Sequence, residues 1–257
     1  MSIVTCNGLK DMKQGKLVRT RNVVEADEAI NLLVTRPKEE MVGLGLLYGK
    51  PGLGKTTYAT RIALQRNYIY LRLEATSTPK SFTLQLITGI YNYLNLEYPP
   101  LYGTTNAIFR RCMDEIERHE DIVIIVYEID YAFKQPQLLG TIRDIVDNTA
   151  AIVILVGMQN ARDRLAQINE YYFDRCNSFY EFESASLKDI TAIAREVLEV
   201  EASPEQINTI YFNSGGNLRK AMKMLHLLET SIKAEQGITE TTEQRKILCL
   251  TPKLSPI

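Results

Sequence analysis

One short run constrains this chain more than any other feature. Gly49-Lys50-Pro51-Gly52-Leu53-Gly54-Lys55-Thr56 fits the spacing G-x-x-x-x-G-K-[ST], and Thr57 follows it. The apolar stretch VGLGLLY before it reads as a buried strand, and a helix is expected from about Lys55 to Arg66. Glycines at 49, 52 and 54 permit backbone angles closed to other residues, so consecutive N–H groups can turn inward around phosphate oxygens. The N-terminus of the following helix adds partial positive charge. Lys55 is expected to reach the β- and γ-phosphates and Thr56 to hold a magnesium ion. The spacing thus predicts a phosphate loop for ATP and Mg2+, with every residue from Gly49 to Thr57 in contact with the ligand.

Such loops work with an acidic residue at the end of a neighbouring strand, where an aspartate holds the metal and a following glutamate polarises water. Here Val123-Ile124-Ile125-Val126 leads into Tyr127-Glu128-Ile129-Asp130. Glu128 stands where the catalytic glutamate belongs and is also a candidate to hold the metal, but Tyr127 occupies the place of the aspartate. A phenol with a pKa of about 10 is uncharged at neutral pH. Two readings stay open. Thr56 and phosphate oxygens hold magnesium, with Glu128 or Asp130 compensating through water, and hydrolysis is slow. Otherwise the site is an ATP-dependent switch that scarcely turns over.

Around the loop, strand-like runs alternate with helical patterns. YIYLRL (68–73), IVIIVY (122–127), AIVILV (151–156) and SFYEF (178–182) read as strands. Pro79 opens a helix that places Phe82, Leu86, Ile87 and Ile90 on one face. Tyr98-Pro99-Pro100 marks a break. Thr104-Thr105-Asn106 then supplies caps for a helix carrying Ile108, Cys112 and Ile116. A further helix is expected around Leu138 to Val146. After Ser184 the strands stop and three amphipathic helices follow, at 187–199, 204–213 and 217–234. The pattern predicts an α/β fold: a P-loop core with a parallel sheet flanked by helices, plus a small C-terminal helical lid domain. The expected boundaries are a basic extension over 1–24, a nucleotide-binding core over 25–184, a lid over 185–236 and an extended tail over 237–257. The extension reads either as a solvated leader or as a basic arm for nucleic acid or a neighbouring subunit.

Composition excludes several classes. With 30 basic against 31 acidic side chains and a net charge of −1, any nucleic-acid surface must be a local patch. Cysteines at 6, 112, 176 and 249 show no C-x-x-C spacing and have only His119 and His226 beside them, which argues against a zinc site or disulfide framework. No apolar run approaches the roughly 20 residues that span a bilayer. The N-terminus lacks the apolar segment of a secretory leader. A cytoplasmic protein without a membrane partner is expected.

With these elements in order, the chain resembles the AAA+ ATPases over roughly residues 25–234. It resembles more closely their transposition-regulator branch, typified by the B protein of phage Mu. The phosphate loop, ILVGMQNARDRL after the fourth strand, and GGNLRKAMKMLHLL in the lid carry the resemblance. It implies that the turn containing Met158, Gln159 and Asn160 senses the γ-phosphate, with Gln159 or Asn160 serving because Met158 is apolar. It implies that Arg175 reaches the nucleotide of a neighbouring subunit, with Arg162 and Arg164 as competitors. Arg219 would be the lid arginine that contacts the γ-phosphate in its own chain. Glu128, Arg175 and Arg219 would then be the catalytic set. It also implies self-association into filaments or rings on duplex DNA, held through the DNA backbone, and a transposase as partner. Thr78, Lys80 and Lys134 are the implied DNA contacts; an ordinary turn and helix cap is the alternative at the first two. A nucleotide-gated protein scaffold with little hydrolysis, or a generic AAA+ loader or remodeller, remain the alternatives for the whole chain.

Overall fold

The computed structural model describes residues 17–97, 101–119, 121–168 and 173–235. Five strands form one sheet: β1 (Gly43–Gly49), β2 (Ile69–Arg72), β3 (Val123–Tyr127), β4 (Ile152–Val156) and β5 (Cys176–Phe182). Their order is β2-β3-β4-β1-β5, and every pairing is parallel. Continuous apolar strands suit a sheet covered on both faces, and the two-residue period divides their side chains between those faces. Ile124 and Val126 enter one core cluster, whereas Val123 and Ile125 enter the other.

The first cluster lies beneath α3 (Pro79–Tyr93), α4 (Thr105–Glu117), α5 (Pro136–Asn148) and α6 (Ala161–Ile168). The second lies beneath α1 (Arg21–Val34) and α2 (Lys55–Gln65). Local signals set the helix starts. Pro79 and Pro136 take the first turn of α3 and α5, where a missing N–H costs nothing. The Thr104 hydroxyl accepts from the Ala107 N–H at the start of α4.

The sequence reading does not anticipate α1. Residues up to 24 read as a polar extension, yet the helix begins at Arg21 and buries Val23, Ala26, Ile30 and Leu33. Arg21 is tied down twice: its N–H donates to Asp189 Oδ1 at 2.8 Å, and its guanidinium pairs with Glu183 at 2.7 Å. Buried Asn22 donates to the Glu183 carbonyl and accepts from the Tyr180 hydroxyl, both at 2.8 Å. Residues 17–24 are therefore packed structure. Lys10, Lys13 and Lys16, the Tyr98-Pro99-Pro100 break and the tail over 237–257 lie outside the described residues.

Beyond the sheet, α7 (Leu187–Val197), α8 (Pro204–Ser214) and α9 (Leu218–Glu235) close on a third cluster that includes Ile190, Ile193, Ile207, Ile210 and Leu225. Capping boxes at Ser186 and Ser203 start the first two. Gly215, at φ 58°, ends α8 in the left-handed conformation that glycine adopts without strain. No helix among the described residues is long and apolar enough to cross a membrane. Cys112 and Cys176 are buried and unbridged, and burial pushes both thiols up to about 12.

Candidate nucleotide-binding site

The loop between β1 and α2 sits at the C-terminal edge of the sheet, where β1 ends and α2 begins at Lys55. Gly52 and Gly54 hold φ values of +84° and +94°. A side chain on either would be strained, and a Cβ at Gly52 would meet the Asn217 amide at 2.5 Å. The Lys55 ammonium donates to the carbonyls of Gly49 at 2.6 Å and Lys50 at 2.8 Å. Lys55 is only 7% exposed, and burial lowers its pKa to about 8, against the pull of Asp130 and Glu128 and with help from Arg219.

The lid meets this loop directly. Arg219 donates its N–H to the Gly52 carbonyl at 3.1 Å, and the Asn217 side chain donates to the Pro51 carbonyl at 3.1 Å. A cavity of about 530 Å³ opens between them. Pro51, Gly52, Leu53, Gly54, Lys55, Thr56 and Thr57 form its polar end, facing Tyr127, Glu128 and Arg219. Leu17, Val23, Phe182, Ile193, Val197 and Met222 supply an apolar end that suits a planar base. Gly49 and Lys50 contribute the two carbonyls that hold Lys55, and the Lys50 side chain is exposed.

Not every expected sensor residue reaches the cavity. Met158 lies in its wall, whereas Gln159 is exposed outside it. The Met158 N–H is anchored to Asp130 Oδ2 at 2.8 Å. The Gly157 N–H donates to the Leu47 carbonyl at 2.9 Å, which fixes this turn against β1. One oxygen of Asp130 thus holds the turn.

The second-site strand ends as its sequence suggests. The Tyr127 hydroxyl lies 2.5 Å from Thr56 Oγ1, so the residue expected to bind metal is hydrogen-bonded to a phenol. Burial raises the Tyr127 pKa further, so it carries no charge at neutral pH. Glu128 lines the cavity with its backbone in the left-handed region at φ 63°. Magnesium in phosphate-transfer sites is bound through carboxylates as well as phosphates, and the tyrosine gives Thr56 a hydrogen-bond partner without the charge. The residues present fit a nucleotide; they do not fit a metal held by a carboxylate at position 127. Among the described residues, no group of three or more His, Cys, Asp or Glu side chains could hold a metal ion.

The remaining predicted residues lie elsewhere. Arg175 precedes β5 at the opposite end of the sheet from the loop and forms an ion pair with Asp147 of α5. Arg162 packs over the rings of Phe173 and Phe179, at 5.8 and 5.2 Å from their centroids. The Thr78 hydroxyl caps α3 by accepting from the Ser81 N–H at 3.2 Å. Lys80 and Lys134 are exposed. The apolar end of the cavity is what sequence reasoning missed, because its residues come from four separate segments without a shared period.

Residues 39–165 match the family described as AAA domain. The replication factor C large subunit of Methanothrix thermoacetophila is 28% identical over 212 residues, covering 79% of this chain and 39% of that protein. The chain thus spans about two fifths of the length of that relative. Among solved structures, the ADP form of the Aeropyrum pernix ORC2 protein superposes with a TM-score of 0.61 at 15% identity, over 95% of this chain and 73% of that one. The Aeropyrum pernix ORC1 protein in complex with DNA gives 0.56 at 17% identity, over 85% and 60%. At such identities the two structures are similar in fold alone. Together with the loop, the sheet order and the lid contact, these findings show a P-loop AAA+ α/β fold in which residues 39–165 match the AAA domain family.

Proposed function

We propose that this chain is an ATP-gated AAA+ module that assembles on duplex DNA. One observation carries the reading: the phosphate loop and the lid touch through Arg219 and Asn217 across the cavity that suits a nucleotide. A phosphate drawn between Lys55 and Arg219 changes the charge between loop and lid, so the lid responds to the nucleotide's state. Lys55 and Arg219 neutralise the phosphates, the apolar end takes the base, and Glu128 is the carboxylate placed to polarise water. With Tyr127 uncharged, hydrolysis is slow. Residues 25–184 act as the core and 185–236 as the lid.

Assembly on DNA is supported by the likeness to a replication factor and to an ORC1 protein described in complex with DNA. Arg175 reaches a neighbouring subunit only after exchanging Asp147 for the phosphate of that subunit's nucleotide. Lys80 and Lys134 are the proposed backbone contacts, and each ionic contact adds to the salt dependence of binding. The finer reading, a regulator that directs a transposase, rests on the sequence resemblance of the loop, the ILVGMQNARDRL stretch and the lid motif. The replication relatives favour a second reading, a loader or initiator with no transposase partner. Electron microscopy with long duplex DNA and ATP, ADP or no nucleotide tests the common core of both. ATP-specific filaments or rings are expected; particles indifferent to DNA and nucleotide would refute it. Activation of a transposase by the ATP-bound assembly then separates the finer readings.

A further inference from the structure

We infer that this site takes its nucleotide without help from magnesium: Tyr127 replaces the metal-holding carboxylate with an uncharged hydroxyl bonded to Thr56, so nucleotide affinity is nearly the same with and without the cation. The inference rests on the nucleotide reading of the cavity and adds the form of the ligand, the metal-free nucleotide.

A carboxylate at the end of β3 has two tasks in such a site, giving the loop hydroxyl a hydrogen-bond partner and giving the cation a negative neighbour. Tyr127 performs only the first, through its contact with Thr56 Oγ1. Two side chains of β2 touch the Tyr127 ring. Tyr70 stacks on it, with centroids 6.1 Å apart and planes inclined by 24°, and the Arg72 guanidinium lies 5.9 Å from its centroid on the other strand of the same register pair. Where the strand end of such a site carries an anion, this chain presents a neutral hydroxyl at position 127.

The neighbouring carboxylates do not make up the loss. Asp130 holds the Met158 N–H, and the Glu128 carboxylate, which lines the cavity, is engaged with the Tyr127 hydroxyl. Phosphate charge is met instead by Lys55 and Arg219, both lining the cavity and neither dependent on a metal.

The test is ADP affinity by titration calorimetry, in excess EDTA and in excess Mg2+, for the wild-type chain and Tyr127→Asp. The wild-type affinities are expected to agree within about threefold, whereas Tyr127→Asp binds ADP at least about tenfold more tightly with Mg2+, because it restores the charge beside the ion. A wild-type ratio above about threefold means that Glu128 or Asp130 holds the metal after all and overturns the inference. So does a Tyr127→Asp ratio no larger than that of wild type in a variant with the native circular-dichroism spectrum. If that variant does not fold, the wild-type ratio decides alone. Absence of ADP binding in both solutions overturns the nucleotide reading itself, and is recognised because Lys55→Ala then behaves like wild type.

Discussion

On one wall of the nucleotide cavity, Lys55, three backbone turns of glycine and the first turn of α2 gather everything needed to hold phosphate. On the facing wall, Tyr127 stands hydrogen-bonded to Thr56 where a carboxylate would bring charge. Both walls belong to loops at the same edge of one parallel sheet, after β1 and β3 with β4 between them, and bury comparable apolar strands behind them. The difference teaches that holding a nucleotide and cleaving it are separate loads on the fold. The first depends on backbone geometry and one lysine; the second depends on charge at a single strand end, which can be lost while the strand and its packing stay intact.

The strongest way to break this comparison is to remove the holding wall. Lys55→Ala is expected to lower ATP affinity on the order of 100-fold, since a charge-assisted contact to phosphate is lost. Calorimetry measures it, and an unchanged affinity would place the ligand elsewhere. The same wall predicts a pH dependence. Burial lowers the Lys55 pKa to about 8, so the ammonium that phosphate needs is complete below that value and is lost above it. Bound phosphate favours the protonated form, so affinity should be flat in mild acid and fall about tenfold between about pH 7 and about pH 9. Lys55→Arg, which stays charged, should abolish that fall.

Restoring the facing wall gives the next effect. Tyr127→Asp is expected to raise phosphate release about tenfold, within the range of a single added electrostatic group at a reacting phosphate. No change in a folded variant would mean that Glu128 already suffices. The smallest effect concerns the lid. Asn217→Ala removes the hydrogen bond to Pro51, together with the acceptor of the Lys220 N–H at the start of α9, and is expected to weaken ATP binding about threefold, near the ordinary net value of the one bond that reaches the loop. A much larger loss would show that the lid, rather than the loop, carries the affinity.

The parallel core was legible because its strands are uninterrupted Val, Ile and Leu runs, and the loop because its glycines and lysine must occur at fixed spacing. The helix α1 was not. Its buried stripe of Val23, Ala26, Ala29, Ile30 and Leu33 has helical spacing, but its two small alanines and the basic residues before it mask the pattern. The apolar end of the cavity was hidden for a different reason: Leu17, Phe182, Val197 and Met222 meet only after the lid folds back over the sheet. Tyr127 was visible as a substitution, while its bond to Thr56 needed the placement of α2, and its contacts with Tyr70 and Arg72 needed the register of β2 against β3. Thr78 shows the limit in the other direction, because a hydroxyl that suits a phosphate contact is occupied as the cap of α3.

The most direct test of the account is ATP titration of the wild-type chain with phosphate release followed in the same sample. The account predicts saturable binding of one ATP per chain, abolished by Lys55→Ala, with release far slower than binding and faster in Tyr127→Asp. Failure to bind ATP, or rapid release that Tyr127→Asp leaves unchanged, would contradict it.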